Sequence, residues 1–304
     1  MSKIKINEPV SILVNNTCNL TCSLCAGLAM YDFVGTFKWN DHKDRYAKWA
    51  EIAEFTELSL CGGEPYLHPE LELWFDEVRK LWPDTYFEIM TNGTRMSKRM
   101  ELSRKFIQDG NTCICVSCHD ESEYEKIKSE VEETLAPWED TLTTNEPDTH
   151  WKTIEYCVNG RPVIRYQLVT TMLVPYHKTV ENGTVYFEMG GDQEESHKQC
   201  DWKTSYTFQH GLLFKCPPVT NYSEAKLQAK YEPEAQEVLE KYKGCDPFDT
   251  IENVQTFVDN LTKSIEVCKL CAFDKPHRTD PFIRPIDLDV TRKTKLRQIK
   301  VVQK

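Results

Sequence analysis

The stretch Cys18-Asn-Leu-Thr-Cys22-Ser-Leu-Cys25 places three cysteines near the N-terminus with the spacing C-x3-C-x2-C. Three thiolates this close in sequence can each ligate one iron of a [4Fe–4S] cluster. A cluster that only transfers electrons normally has four cysteine ligands, so three ligands predict one iron with an open coordination position. An open position on a metal is where a substrate or cofactor binds. The motif therefore indicates a cluster that takes part in chemistry.

The residues around this loop predict two strands of a sheet. Residues 9–14 are rich in β-branched side chains and predict a strand directly before the cysteines. Residues 57–61 predict a second strand, which ends in Gly62-Gly63-Glu64-Pro65. Two glycines at a strand end let the backbone approach a ligand closely, although the same four residues also form ordinary turns.

Downstream of this turn, helix and strand patterns alternate. Apolar residues recur at helical spacing over residues 71–82, which predicts a helix with one face packed on a sheet. Further strands are predicted at residues 86–90, 112–117, 163–172 and 184–187, a helix at 96–108, and an irregular connection at 136–160. Strand–helix alternation of this kind predicts an α/β fold with a parallel sheet.

The cysteine loop and the Gly62–Pro65 turn resemble the signatures of the radical S-adenosylmethionine (radical SAM) superfamily. The resemblance implies a partial (β/α)6 TIM-like barrel in which the open iron binds the amino and carboxylate groups of S-adenosylmethionine. One electron from the cluster then cleaves this cofactor to a 5′-deoxyadenosyl radical, which abstracts hydrogen from the substrate. The electron donor it implies is of the flavodoxin or ferredoxin type. The cofactor contacts it implies are Gly62, Gly63, Glu64, Pro65, Thr91, Asn92 and Ser117.

The candidate catalytic residue is His119, by position only. It follows the strand that ends near Ser117. In a (β/α) barrel the carboxyl ends of the strands carry the active site. A structural or surface histidine is the other interpretation of the same position.

Five cysteines follow residue 199: Cys200, Cys216, Cys245, Cys268 and Cys271. Strand patterns at residues 204–208 and 212–215 predict a hairpin that ends beside Cys216. All of these cysteines except Cys245 resemble the ligands of the auxiliary [4Fe–4S] cluster in the twitch or SPASM extension of radical SAM enzymes, in its short one-cluster form. Four cysteines in this arrangement fit Zn²⁺ equally well. Cys245 is either a free thiol or a substitute ligand.

The other five cysteines are predicted not to be ligands. They are Cys61, Cys113, Cys115, Cys118 and Cys157. Four of them lie in or beside predicted strands, where a free cysteine behaves as a small buried hydrophobic residue.

Length and charge limit the remaining possibilities. The predicted domains are a radical SAM barrel at residues 1–195, an auxiliary-cluster domain at 196–280 and a basic tail at 281–304. The 304-residue chain carries a net charge of −11, which disfavours broad binding to nucleic-acid phosphates. No apolar run reaches the length of a membrane span, and no signal peptide is indicated. Thirteen cysteines in ligand-like spacing without a signal predict a reducing cytoplasm.

These features predict a radical SAM enzyme that oxidises or crosslinks its substrate, with the auxiliary cluster as electron acceptor. The substrate is a peptide, a protein or a small polar metabolite. No separate leader-peptide-binding domain is predicted before residue 9, which lowers the odds of autonomous peptide capture. Two other classes stay open: a non-catalytic iron–sulfur or zinc-binding module, and a radical enzyme that modifies nucleotides or RNA.

Overall fold

A computed structural model gives the fold. It describes residues 3–20, 22, 25, 35–148, 152–169, 177–180, 184–187, 191–200, 202–217, 220, 229–231 and 233–271. The predicted basic tail at 281–304 lies outside these ranges, as do residues 170–172 of the predicted fifth strand. No helix in the described ranges has both the length and the apolar character needed to cross a bilayer.

Strands and helices alternate through the first half of the described chain. The strands are β1 (Ile4–Ile6), β2 (Val10–Asn15), β3 (Ala53–Phe55), β4 (Glu57–Gly62), β5 (Tyr86–Thr91), β6 (Thr112–Cys118), β7 (Leu142–Asp148), β8 (Thr153–Val158), β9 (Arg161–Leu168), β10 (His177–Val180), β11 (Thr184–Phe187), β12 (Tyr206–Gln209), β13 (Leu212–Phe214) and β14 (Ala229–Tyr231). The helices are α1 (Trp39–Ile52), α2 (Leu71–Leu81), α3 (Met100–Gln108), α4 (Tyr124–Leu135), α5 (Gln193–Lys198), α6 (Pro233–Lys241) and α7 (Ile251–Asp259).

The main sheet has nine strands in the order β13-β12-β2-β4-β5-β6-β9-β8-β7. The six strands from β12 to β9 in this order are parallel, and the outer strands β13, β8 and β7 are antiparallel to their neighbours. The predicted α/β class and parallel sheet are therefore confirmed. The hairpin of the predicted auxiliary domain belongs to this sheet, because β12 pairs with β2.

Two predictions about the middle of the chain are wrong. Residues 184–187 form a strand, but it pairs with β10 and β14 in a separate three-stranded sheet instead of extending the main sheet. Residues 136–160 are not irregular, since they include β7 and β8, which extend the main sheet as an antiparallel hairpin. Almost all of β7 is exposed, so it has no buried face to impose the alternating apolar pattern that marks a strand.

The two faces of the main sheet differ in chemistry. On one face the helices cover apolar side chains: Phe75 of α2 packs edge-on against Phe87, and Tyr124 of α4 packs against Tyr166. The opposite face carries two rows of polar groups: Ser11, Ser59 and Glu88 are in register on β2, β4 and β5, and Arg165 and Glu155 are in register on β9 and β8. Arg165 also forms an ion pair with Glu88, which joins the two rows. Parallel sheets are ordinarily apolar on both faces. The polar face is therefore suited to contact a polar ligand.

Candidate functional site

The cysteine loop begins at the carboxyl end of β2 and is tied back to the sheet. Cys18 is 7% exposed, and its Sγ accepts hydrogen bonds from the backbone N–H of Leu20 (3.4 Å) and from Nδ2 of Asn92 (3.8 Å). Cys22 and Cys25 are half-buried, and the Cys25 N–H donates to the Cys22 carbonyl at 3.3 Å. Cys18 is thus fixed by hydrogen bonds at the end of β2, whereas Cys22 and Cys25 are more accessible.

Gly62 and Gly63 make room for this loop. A Cβ on Gly63 would lie 2.3 Å from the carbonyl oxygen of Thr17, and a Cβ on Gly62 would lie 2.3 Å from that of Asn15. The Gly63 N–H donates to the Asn15 carbonyl (2.9 Å), and the Glu64 N–H donates to the Thr17 carbonyl (2.8 Å). The backbone that approaches these glycines is therefore that of the cysteine loop itself.

The Glu64 carboxylate is fully buried and accepts hydrogen bonds from other residues of the protein. Its Oε1 accepts from the Tyr66 N–H (2.9 Å) and from Thr91 Oγ1 (2.7 Å), while Oε2 accepts from the Asn92 N–H (2.7 Å). Burial raises the pKa of the Glu64 carboxyl, and the three hydrogen bonds oppose that shift. The resemblance implies that Glu64 contacts the cofactor, and in the structure its carboxylate accepts three hydrogen bonds from the protein, two at Oε1 and one at Oε2.

Replacing Glu64 with glutamine should destabilise the protein. The amide offers one oxygen to three donors, so at least one buried donor loses its partner, which costs about 1–3 kcal/mol. We expect Glu64→Gln to lower the free energy of unfolding by this amount in urea denaturation. Glu101→Gln is the matched control, because the Glu101 side chain is 86% exposed. Equal stability of the two variants would contradict the structural role of Glu64.

The turn after β5 joins the cysteine loop through Asn92. Asn92 Nδ2 donates to Asn19 Oδ1 (3.2 Å) as well as to Cys18 Sγ, and its Oδ1 accepts from the N–H (3.1 Å) and the hydroxyl (2.6 Å) of Thr94. Asn19 Nδ2 donates in turn to the Thr94 hydroxyl at 2.8 Å. The loop and the turn therefore form one hydrogen-bonded unit.

Ser117 and His119 lie at the same edge, at and just beyond the end of β6. Ser117 Oγ accepts from Gln167 Nε2 on β9 at 3.3 Å. His119 Nδ1 lies 3.2 Å from the Val169 carbonyl, so Nδ1 is the protonated nitrogen when the ring is neutral. Burial lowers the pKa of His119, which favours the neutral ring at pH 7.

The second cysteine group lies around α5 and the short 3₁₀ turn Glu266–Leu270. Ser196 Oγ donates to the Cys271 carbonyl at 3.0 Å, and the Gly191 N–H donates to the Lys269 carbonyl at 2.9 Å. Burial, followed by electrostatic contact with Cys200 and Cys268, raises the pKa of the Cys271 thiol to about 12. These bonds hold the segment of Cys200 against the Cys268-x2-Cys271 pair.

Cys216 joins the same group through the predicted hairpin, which the structure confirms as β12 and β13. The preceding residue, Lys215, is in electrostatic contact with Cys200, Cys216 and Cys268. The structure therefore brings all four predicted auxiliary cysteines into one neighbourhood. Since β12 runs parallel to β2 and β13 runs back, Cys216 lies toward the opposite edge of the sheet from Cys18.

Cys245 has a different environment. Its backbone bridges Leu213 of β13 through two hydrogen bonds of 2.8 and 3.0 Å, and its side chain belongs to the apolar core. Burial, then the charges of Asp249 and Asp246, raise the pKa of its thiol to about 12. These contacts favour a buried free thiol over a substitute ligand.

Both cysteine groups fit iron–sulfur clusters in the chemistry of their donors. No three histidine, cysteine or acidic side chains within the described ranges are arranged to hold a single metal ion. In a [4Fe–4S] cluster each cysteine ligates a different iron, so the thiols spread around the cluster. Among the residues that the structure describes, two buried polar atoms beside these groups have no hydrogen-bond partner: Oδ1 of Asn15 near the first group and Nε2 of His197 near the second.

Several residues at the site carry no sequence motif. Asn15 Nδ2 donates to the carbonyls of Thr17 (3.3 Å) and Glu64 (3.0 Å), which fixes the strand end to the glycine turn. His42 of α1 and His210 of the hairpin turn face each other, with 3.3 Å between Nε2 and Nδ1. The only sequence signal for Asn15 is a polar residue at the end of an apolar strand. The histidine pair has no local sequence signal, because its two members are 168 residues apart in sequence.

Comparison with known proteins shows that parts of this chain are similar in structure to parts of solved proteins. No protein-family model matches the chain, and neither does any curated protein. A structure of BtrN in complex with AdoMet and 2-DOIA is similar at 24% identity and a TM-score of 0.32, over 39% of this chain and 48% of that one. Native anSMEcpe with bound AdoMet and Kp18Cys peptide is similar at 18% identity and a TM-score of 0.33, over 43% and 41%. This chain thus spans less than half of either protein, and such likeness assigns it to no family.

Proposed function

We propose that this chain is a radical SAM enzyme, with a [4Fe–4S] cluster on Cys18, Cys22 and Cys25. With S-adenosylmethionine bound, that cluster would supply the electron that cleaves it to a 5′-deoxyadenosyl radical, which would abstract hydrogen from the substrate. The observation that carries the proposal is the unit formed by the cysteine loop and the Asn92 turn at the carboxyl ends of parallel strands. In open α/β sheets this edge is where ligands bind.

The residues of this edge have distinct proposed roles. Glu64 orients Thr91 and Asn92 from within the protein, as its three buried hydrogen bonds indicate. The backbone of Gly62–Pro65 and the hydroxyl of Ser117 then provide the polar contacts to S-adenosylmethionine. Pro65 is buried and begins a 3₁₀ turn, Pro65–Leu67, which fixes the direction in which the glycine turn leaves the sheet.

Substrate oxidation needs a proton acceptor and an electron acceptor. We assign the first role to His119, because it lies just beyond the carboxyl end of β6 at this edge and its ring is held in place by the Val169 carbonyl. We assign the second role to an auxiliary [4Fe–4S] cluster ligated by Cys200, Cys216, Cys268 and Cys271. The two cysteine groups lie toward opposite edges of the sheet. A substrate bound on the polar face of the sheet would therefore lie between the first cluster and the auxiliary cluster.

The proposed substrate is a polar molecule, either a peptide segment or a small metabolite. The polar face of the sheet supports this class, since Arg165 forms ion pairs of 3.3 Å with both Glu88 and Glu155 there. Electrons for cofactor cleavage come from a carrier of the flavodoxin or ferredoxin class. A non-catalytic iron–sulfur or zinc module and an RNA-modifying enzyme are outcomes of the following test.

The test is anaerobic reconstitution with iron and sulfide, followed by dithionite and S-adenosylmethionine. We expect 5′-deoxyadenosine and about eight irons per chain, four for each cluster. An iron-loaded, reducible protein that releases no 5′-deoxyadenosine, even with peptide and metabolite mixtures present, would be a non-catalytic module. Retarded migration of RNA at moderate salt would instead favour the RNA-modifying class.

A further inference from the structure

Lys215 is a buried cation among the proposed auxiliary ligands. The residue is 5% exposed and directly precedes Cys216. Burial lowers the pKa of the Lys215 ammonium group, and negative charge at Cys268, Cys216, Glu194 and Cys200 opposes that shift. Lysine is almost never fully buried unless its charge is paired. The cysteine group and Glu194 are therefore the negatively charged or ionisable groups that act on this buried ammonium.

The surrounding structure fixes the ammonium in place. The Lys215 N–H donates to the hydroxyl of Tyr242 at 2.7 Å, which anchors the end of β13. Lys215 Nζ donates to the carbonyl of Asn260 at 3.4 Å. Asn260 caps the carboxyl end of α7, where the helix dipole places partial negative charge. Lys215 is thus held at its backbone N–H and at its ammonium group.

A fixed buried cation changes the redox properties of a neighbouring cluster. A thiolate-ligated cluster gains negative charge when it is reduced, so a nearby positive charge stabilises the reduced form more than the oxidised form. Burial keeps this interaction from being screened by salt and water. Net charge and local environment are known determinants of iron–sulfur reduction potentials.

We propose that Lys215 raises the reduction potential of the auxiliary cluster held by Cys200, Cys216, Cys268 and Cys271, so that this cluster accepts an electron from the substrate radical. The inference rests on the proposed function. With the cluster bound, the substrate radical would lose one electron to it and one proton to His119, so that hydrogen abstraction and this step together would oxidise the substrate by two electrons. A one-electron carrier of the flavodoxin or ferredoxin class would then take up the electron.

The experiment is a redox titration of the auxiliary cluster followed by electron paramagnetic resonance. It uses the full chain with Cys18, Cys22 and Cys25 changed to alanine, so that only the auxiliary signal is present. We expect Lys215→Met to lower the midpoint reduction potential by at least ~59 mV. For a one-electron couple this corresponds to a tenfold change in the ratio of oxidised to reduced cluster at a given potential. Lys215→Arg keeps the charge and should stay close to the parent.

The matched control is Lys203→Met, because Lys203 is an exposed lysine near the same group and donates to the Lys198 carbonyl. Its charge is screened by water, so its removal should leave the midpoint unchanged. If Lys215→Met loses iron, Lys215→Gln provides the same comparison. An unchanged midpoint in the neutral variants, or an equal shift in Lys203→Met, would overturn the inference.

Failure of the proposed function has a different signature. Zinc in place of iron at the second site removes the resonance signal from the parent and overturns both the inference and the electron-acceptor role. Formation of 5′-deoxyadenosine by the unmodified chain would still support the first site in that case. A normal signal with no effect at Lys215 overturns the inference alone.

Discussion

Changing Cys18, Cys22 and Cys25 together to alanine is expected to abolish 5′-deoxyadenosine formation completely while the auxiliary cluster stays in place. The three thiols are the only proposed ligands of the first cluster, and alanine cannot bind iron. Iron should fall from about eight to about four atoms per chain, because one four-iron cluster of two is lost. Iron analysis and nucleoside chromatography on anaerobically reconstituted protein provide the measurement.

Cys245→Ala is the matched control for this experiment. Cys245 is a buried core thiol beside Leu213, so its change should leave both the iron content and the nucleoside unchanged. Loss of all iron in the triple variant would show that the two groups do not assemble separately. Nucleoside formation by the triple variant would refute the assignment of the first cluster.

Gly63→Ala is expected to disrupt the first site without removing any ligand. The new Cβ would lie 2.3 Å from the Thr17 carbonyl oxygen and 2.6 Å from that of Asn16. Both atoms belong to the backbone, so no side-chain rotation relieves the overlap. We expect a loss of ~3 kcal/mol in the free energy of unfolding, as in severe overpacking. Displacement of the cysteine loop should also lower 5′-deoxyadenosine formation by at least about tenfold, since each 1.36 kcal/mol of barrier is tenfold.

Gly160→Ala separates this local effect from the general cost of losing a glycine. Gly160 has φ +75° in the turn between β8 and β9, and nothing lies within 4 Å of the position that a Cβ would occupy there. Strain at a positive φ costs about 1 kcal/mol, and the turn is not part of the proposed site. Equal loss of nucleoside in both variants would mean that Gly63 acts only through overall stability.

The sequence predicted those features that depend on neighbouring residues. The spacing of Cys18, Cys22 and Cys25 is a local property, because the ligands of one cluster fit within a single short loop. The helix at 71–82 and the strand before the cysteines could also be predicted, because burial of one face imposes a regular spacing of apolar residues. The same reasoning located the hairpin before Cys216, which the structure confirms.

Only the tertiary structure decided what each polar group of the site contacts. The predicted cofactor contact at Glu64 stays a prediction, and the structure adds the bonds of this carboxylate to Thr91 and Asn92, 27 and 28 residues away. The pairing of β12 with β2 and the position of Lys215 among the cysteines depend on contacts that are still more distant. The exposed strand β7 had no apolar pattern to reveal it. Local periodicity records which face of a segment is buried, whereas the partner across a strand or around a buried charge is set by how the whole chain packs.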